Sequence, residues 1–257
     1  MADFFKMYQE PMYLYFAVGS VVVSMAAFFI FAIPYTLLYF SKYSWVNRYR
    51  VQPDRINRKL ILPSIVYAFL NPAIALTVVS LLWPILRFSG VHAGVLPAWY
   101  EIVWQVVFFI VLDDFLFYGA HYLLHKGWLY KKVHSFHHRI TASFALAGNY
   151  MHPIEFLVIS GLVLLGPVLL GSHVVTLYAF IIFRQWEAAE GHCGLQFRWN
   201  PMHLIPFYDG PAFHEFHHWK FTGNYAAVFS YMDKMFGTFS RGYVEYMAAL
   251  RSKTVNK

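Results

Sequence analysis

Charge is scarce in this sequence. Of its 257 residues only 13% are Asp, Glu, Lys or Arg, whereas a soluble domain carries about 25%. With 59% hydrophobic and 21% aromatic residues, that shortage excludes an ordinary soluble globule and puts the chain in the membrane class. Cysteine is nearly absent as well. Cys193 stands alone, so the chain forms no intramolecular disulfide and no thiolate metal site. Low-complexity tracts and the Gly-x-Gly-x-x-Gly dinucleotide fingerprint are also missing. The net charge of +7 does not indicate a nucleic-acid partner, because its distribution is that of a membrane protein. Lys42, Arg48, Arg50, Arg55, Arg58 and Lys59 crowd one connection between two hydrophobic stretches, the positive-inside pattern of a cytoplasmic loop facing anionic lipid.

What is present is long uncharged sequence. No charge interrupts Pro11 to Ser41, Leu60 to Leu86, or Phe156 to Phe183, and about 20 apolar residues cross a bilayer as a helix. The first run is too long for a signal-peptide core and is expected to remain as an anchor. A first span is expected over Tyr13 to Phe40, with a kink at Pro34, and a second over Leu60 to Leu86, bent or broken at Asn71-Pro72. A third starts near Trp99 and runs towards His125. The stretch Ile154 to Phe183 has Gly166-Pro167 and Gly171-Ser172 in its middle and reads as a hairpin that enters the membrane and returns. The fold class is therefore all-α: a polytopic membrane protein of about four transmembrane helices or hairpins with a histidine-rich, metal-binding cap on the cytosolic side. Three segments are expected, 1–98 with the first spans and the basic loop, 99–240 as the catalytic region, and 241–257 as a tail.

The third span carries the first chemical signal. Asp114, Tyr118, His121 and His125 are spaced i, i+4, i+7 and i+11, one stripe of a helix. Ionisable groups at membrane depth are costly unless paired or ligated, so such a stripe marks a functional cavity. Thirteen histidines occur. Most sit in four places: His121 and His125; His134, His137 and His138; a lone His192; and His214, His217 and His218. Two of these share the form H-x-x-H-H, and spacings of three and four residues place imidazoles on one helix face. Neutral imidazole is a good ligand for first-row metals. Eight clustered histidines plus His192 exceed what one ion accepts, so two metals are expected. His152, before Pro153, is a further candidate ligand, with helix capping or core packing as its alternative. His203, His92 and His173 read as structural, and Lys131 and Lys132 as interfacial anchors. Asp114 and Glu187 are candidates for orienting imidazole N–H groups, with a plain buried hydrogen bond as the alternative. The soluble carboxylate di-iron bundles, built from Glu-x-x-His pairs, are set aside as a class. Imidazole alone does not separate iron from zinc. The apolar setting favours iron, since oxidising unactivated C–H bonds needs a metal able to activate oxygen.

At these motifs the sequence resembles the fatty acid hydroxylase/sterol desaturase superfamily of membrane-bound, non-haem di-iron oxygenases, over roughly Trp99 to Thr238. Within that superfamily the methylsterol monooxygenases (sterol C-4 methyl oxidases) are resembled in several short runs. These are Asp114-Phe-Leu-Phe-Tyr118, Trp128-Leu-Tyr-Lys-Lys-Val-His134, His152-Pro-Ile-Glu155, His192-Cys-Gly194, Leu204-Ile-Pro-Phe-Tyr208, His214-Glu-Phe-His-His218, Gly223-Asn-Tyr225 and Phe236-Gly-Thr238. Two places depart from that pattern. Gly119-Ala120-His121-Tyr122 stands where those enzymes usually have Trp-Gly-His-Arg, and Asn149-Tyr150-Met151-His152 replaces their Glu-Tyr-Ala-His-Pro run. Ser143-Phe-Ala-Leu-Ala147 with Tyr150-Met151 is instead similar to cholesterol 25-hydroxylases. The resemblance implies an enzyme of the endoplasmic reticulum membrane. It implies two iron ions, oxygen as co-substrate, and electrons from NAD(P)H through an external carrier, cytochrome b5 or a reductase. Oxidation of a C-4 methyl group in sterol biosynthesis is the leading expectation. Single hydroxylation, desaturation or epoxidation of a sterol or acyl lipid keeps the same metals, and a zinc-stabilised membrane scaffold is the non-enzyme alternative.

Overall fold

The uncharged runs are largely helical, the third interrupted at residues 171–173, in a computed structural model of the chain, which describes residues 5–52, 55–197 and 199–255. A π-helical stretch, Tyr13–Val18, leads into α1 (Gly19–Phe40), followed by α2 (Ile61–Leu86) and α3 (Trp99–Leu124). A short α4 (Gly127–Lys132) precedes the hairpin of α5 (Pro153–Leu170) and α6 (Val174–Gly191). Three more helices, α7 (Pro211–Lys220), α8 (Tyr231–Met235) and α9 (Arg241–Val255), build a cap with the 3₁₀ turns His134–Arg139 and Ala145–Asn149. No β-strand occurs among the described residues. Four stretches are long and apolar enough to cross a membrane: Tyr13–Phe40, Arg58–Leu86, Trp99–Leu124 and Pro153–Leu170. The chain is thus an all-α polytopic membrane protein, as expected.

Neither proline at which the sequence suggests a kink or a bend ends its helix. Pro34 and Pro72 both lie inside continuous helices. In a bilayer every backbone group must be satisfied within the protein, so the helix persists through a proline that would end it in water. Asn71 serves packing instead: its side-chain amide donates to the carbonyls of Asn149 (3.3 Å) and Met151 (3.0 Å), pinning the cap to α2. The hairpin does reverse where glycine permits it. Gly171 has φ +56°, and a Cβ there would lie 3.2 Å from the Gly90 carbonyl oxygen, so only glycine fits without strain.

The two ends of the bundle are marked by two isolated β-bridges, His92 with His173 at one and Arg50 with Leu195 at the other. At the second end the basic loop lies on the histidine region directly: Val51 N–H donates to Gly194 (3.0 Å) and Gln196 N–H to Tyr49 (2.8 Å). The loop and all four histidine groups therefore share one face, and His92 and His173 fall on the other. The return limb α6 carries Arg184, Glu187 and Glu190 and is the inner helix, packed against α1, α3, α5 and α7. On α3 the stripe behaves as its spacing requires. Asp114 is 0% exposed and His121 2%, while Val111 and Phe115 on the flank of the same helix are 51% and 52% exposed, which suits a helix with lipid on one side and a protein cavity on the other.

Candidate metal centre

Each histidine group is delivered by a different local device. The last turn of α3 carries His121, and His125 is its C-terminal cap. The 3₁₀ turn after α4 carries His134, His137 and His138. His192 caps the C-terminus of α6, and α7 carries His214, His217 and His218. The tertiary fold sorts nine of these imidazoles into two sets, each with its ligand atoms within 4.8 Å of one another: His121, His125, His134, His138 and His217; and His137, His192, His214 and His218. The two H-x-x-H-H motifs are shared reciprocally. Each gives its first and last histidine to one set and its middle one to the other. On α7 residues four apart lie on one helix face, and in each motif the middle histidine crosses to the neighbouring set.

The ring nitrogens reveal what the sets can hold. His121 Nδ1 faces the Tyr225 carbonyl at 2.6 Å, His137 the Tyr150 carbonyl at 3.0 Å, His192 that of Ala188 at 2.9 Å, His217 that of Gly223 at 2.7 Å, and His218 that of Ile140 at 2.7 Å. His125 bonds to the Phe221 backbone, and His134 Nδ1 donates to Glu155 Oε1 at 2.7 Å. A carbonyl or carboxylate oxygen only accepts, so each of these Nδ1 atoms carries the proton and each Nε2 is left with a bare lone pair. Those Nε2 atoms face one another: His134 to His125 at 2.9 Å, His121 to His134 at 3.1 Å, and His192 to His214 at 3.0 Å. Facing lone pairs repel, and a cation between them removes the conflict. Metal–nitrogen bonds of about 2.1 Å at right angles put neighbouring nitrogens about 3 Å apart, which matches. The donor set therefore fits two first-row metal ions.

Electrostatics agree with that reading. Burial, and then repulsion from His121, pushes His125 down to about 2. Burial and His137 push His192 down to about 3, and burial takes His137 down to about 4. His134, His138, His214, His217 and His218 lie well below the ordinary value, first through burial and then through neighbouring imidazoles. All are neutral at neutral pH, the form that binds metal.

Three expectations are corrected by the geometry. His152 joins neither set. Its Nδ1 accepts the Ile154 N–H and caps α5, a role its position before Pro153 also allowed. Asp114 touches no imidazole: its Oδ1 accepts from the Val228 and Phe229 N–H groups, at 2.9 and 3.4 Å. Glu187 pairs with Arg184, which also lies 2.7 Å from Asp113. The carboxylate that does hold an imidazole is Glu155, in the His152-Pro-Ile-Glu155 run; its spacing from His134 gave no clue, because the two meet only through the tertiary fold. The other orienting groups are backbone carbonyls, which no residue type announces. One Glu-x-x-His spacing does occur, Glu215 to His218, but the Glu215 carboxylate accepts the Ser143 N–H at 3.0 and 3.1 Å and the Gln52 amide at 3.3 Å, so it is engaged outside both histidine sets. Asp233 holds the Tyr225 and Ala226 N–H groups at 2.8 Å each and thereby fixes the carbonyl that orients His121. His203 faces Gln196 at 3.3 Å, outside both sets, and Lys131 and Lys132 are exposed.

Between α3, α5 and α6 lies a cavity of about 70 Å³. Phe117, Leu124, Phe156, Ile159 and Val163 form its apolar wall, and His121, His134, His137, His192 and His214 close its end. Phe156, Ile159 and Val163 recur at three- and four-residue intervals, so one face of α5 lines it. A pocket for a whole drug-sized ligand has roughly 300 Å³ or more, so this cavity receives one end of a lipid.

A polytopic helical protein with two sets of neutral imidazoles at the end of an apolar cavity is, as a class, a candidate dinuclear membrane metalloprotein. Residues 106–238, which contain every histidine of both sets, match the family described as fatty acid hydroxylase, and the chain belongs to that family. It is 34% identical to methylsterol monooxygenase 2-2 of Arabidopsis thaliana over 88% of this chain and 86% of that protein. It is 33% identical to methylsterol monooxygenase 1 of Gallus gallus over 87% and 76%. It is also 39% identical to very-long-chain aldehyde decarbonylase GL1-11 of Oryza sativa subsp. japonica, over 82% and 80%. No solved structure matches the chain.

Proposed function

We propose that this protein is an oxygen-dependent oxidoreductase of the endoplasmic reticulum membrane that oxidises a sterol, at a C-4 methyl group, with its histidine face towards the cytosol. The observation that carries the reading is the convergence of bare, neutral Nε2 atoms at the closed end of an apolar cavity between membrane-spanning helices. His121, His125, His134, His138 and His217 would hold one iron, and His137, His192, His214 and His218 the other. Two irons, when bound, supply the activation and reduction of oxygen. Each turnover puts one oxygen atom of O2 into a substrate C–H bond and releases the other as water, consuming two electrons and two protons. Repetition on one carbon takes a methyl group through alcohol and aldehyde to acid.

The chain's own residues do the rest. Phe117, Phe156, Ile159 and Val163 exclude water and aim the carbon. Glu155 and the carbonyls of Tyr225, Tyr150, Ala188, Gly223 and Ile140 fix the imidazole tautomers. Electrons arrive from a cytochrome b5 or reductase fed by NAD(P)H, and the exposed Lys126, Lys131, Lys132, Arg139 and Lys220 on the histidine face suit an acidic carrier. A second reading, action on a long-chain aldehyde, is favoured by the likeness to the rice decarbonylase. Expression in yeast lacking its sterol C-4 methyl oxidase separates the two. Loss of 4,4-dimethylsterols with restored ergosterol supports C-4 oxidation. Persistence of those sterols despite good expression and bound iron refutes it.

A further inference from the structure

Among the polar groups that line the cavity, the side chain of Gln185 leaves a buried acceptor without a partner and outside the histidine centre. Gln185 of α6 lines the cavity. Its Nε2 donates to Ser24 Oγ of α1 at 2.8 Å, which holds the amide in place, while its Oε1 is buried with no hydrogen-bond partner. The charged groups of the lining are held otherwise: Arg184 Nε lies 2.7 Å from Asp113, and Glu155 belongs to the centre, with Oε1 on His134 and only its Oε2 unpartnered. A buried acceptor left unpaired destabilises a fold, so a persistent one calls for a donor from elsewhere. Because the side of the cavity formed by Phe117, Phe156, Ile159 and Val163 is apolar, the fitting donor belongs to a ligand whose remaining surface is mostly hydrocarbon.

The place of Gln185 along α6 fixes how such a ligand lies. Gln185, Ala188 and His192 are spaced i, i+3 and i+7, so they share one helix face. Seven residues rise about 10 Å along the axis. The acceptor thus stands within about two helical turns of the histidine centre, in the same cavity as His121, His192 and His214. A sterol has one hydroxyl, on its terminal ring, and its alkyl side chain lies at the opposite end of the four fused rings. A hydroxyl bonded at Gln185 brings the hydroxyl-bearing ring to the metals and leaves the side chain out towards the lipid.

We propose that Gln185 Oε1 accepts a hydrogen bond from the substrate hydroxyl, so that a sterol enters hydroxyl end first and is oxidised on its hydroxyl-bearing ring. This rests on the sterol reading given above, and deepens it: the residue selects an alcohol and sets which carbon reacts. Ser24 acts as a positioning residue that keeps the amide turned.

The test measures binding of a 4,4-dimethylsterol and of its 3-O-methyl ether to the iron-loaded protein in detergent, by displacement of radiolabelled sterol. The wild-type protein is expected to bind the alcohol about tenfold more tightly than the ether. Gln185→Met is expected to bind both alike, at the level of the ether, with its iron content unchanged. Retention of the preference in Gln185→Met, or equal binding of both compounds by the wild type, overturns the inference. If Gln185→Met does not fold, Ser24→Ala and the wild-type product decide. A reduced preference in Ser24→Ala and oxidation on the hydroxyl-bearing ring support the inference, and oxidation of the alkyl side chain overturns it. A wild-type protein that binds neither compound overturns the sterol reading itself, which is a separate failure.

Discussion

Among the described residues Glu155 is the carboxylate that touches a candidate ligand, and its replacement gives a graded test of the centre. Its Oε1 accepts a hydrogen bond from His134 Nδ1–H at 2.7 Å, and the two side chains are 2% and 1% exposed. In Glu155→Ala the His134 Nδ1–H has no partner. The ring is no longer held in the tautomer that leaves Nε2 bare, and the imidazole loses the negative charge that raises its basicity. Removing such a partner typically lowers metal affinity or activity by about 10- to 100-fold, or roughly 1.4 to 2.8 kcal/mol at 1.4 per decade. Glu155→Gln keeps an acceptor oxygen and loses only the charge, so its loss belongs at the lower end, about tenfold. The assay is iron per chain after dialysis against graded chelator, alongside sterol turnover followed by mass spectrometry. The expected order is wild type, then Gln, then Ala, in both readouts. Wild-type iron retention and turnover in Glu155→Ala would refute the assignment of this contact to the metal centre.

His137 and His138 are adjacent in sequence but belong to different sets, so His137→Ala is expected to abolish turnover and lower iron content while His134 and His138 stay in place; near-normal turnover would remove His137 from the centre. The metal-free protein should lose stability on acidification. Its imidazoles titrate near 2, 3 and 4 for His125, His192 and His137, below the ordinary 6.5. Below that value the unfolded chain binds more protons than the folded one, and each such histidine costs up to about 1.4 kcal/mol per pH unit. Melting of chelator-treated protein should therefore drop as pH falls from about 6.5 towards about 4, and a flat profile would contradict the burial argument. Asp233, fully buried, accepts from two backbone N–H groups and from Thr238. Asp233→Ala should destabilise the cap by about 3 kcal/mol and loosen the Tyr225 carbonyl on His121; an unchanged melting temperature would show that this loop is held by other contacts.

The sequence by itself determined the membrane class, the span positions and the residue types of the centre. Hydropathy alone suffices for the spans, because a bilayer forces long uncharged runs into helices, and Tyr13–Phe40 is bounded in the structure where its sequence reads. The stripe of Asp114, Tyr118 and His121 was legible because helical periodicity is local. Likewise the histidine count pointed to two metals before any geometry was available. Local preference left Asn71-Pro72 open between a bend and a break, and the helix runs through it because satisfaction of the backbone in lipid overrides the tendency of proline to end a helix. It also left His152 open, since a cap and a ligand present the same residue. Only the tertiary structure decided the partition of the nine histidines. Neighbours such as His217 and His218 point in different directions, and which set each joins depends on how α3, α6, α7 and the 134–139 turn meet. The orienting groups were invisible for a different reason: six are backbone groups, which every residue possesses, and the seventh, Glu155, lies 21 residues from the imidazole it holds. Composition and spacing specify what a chain can ligate with, and long-range packing specifies where those atoms converge.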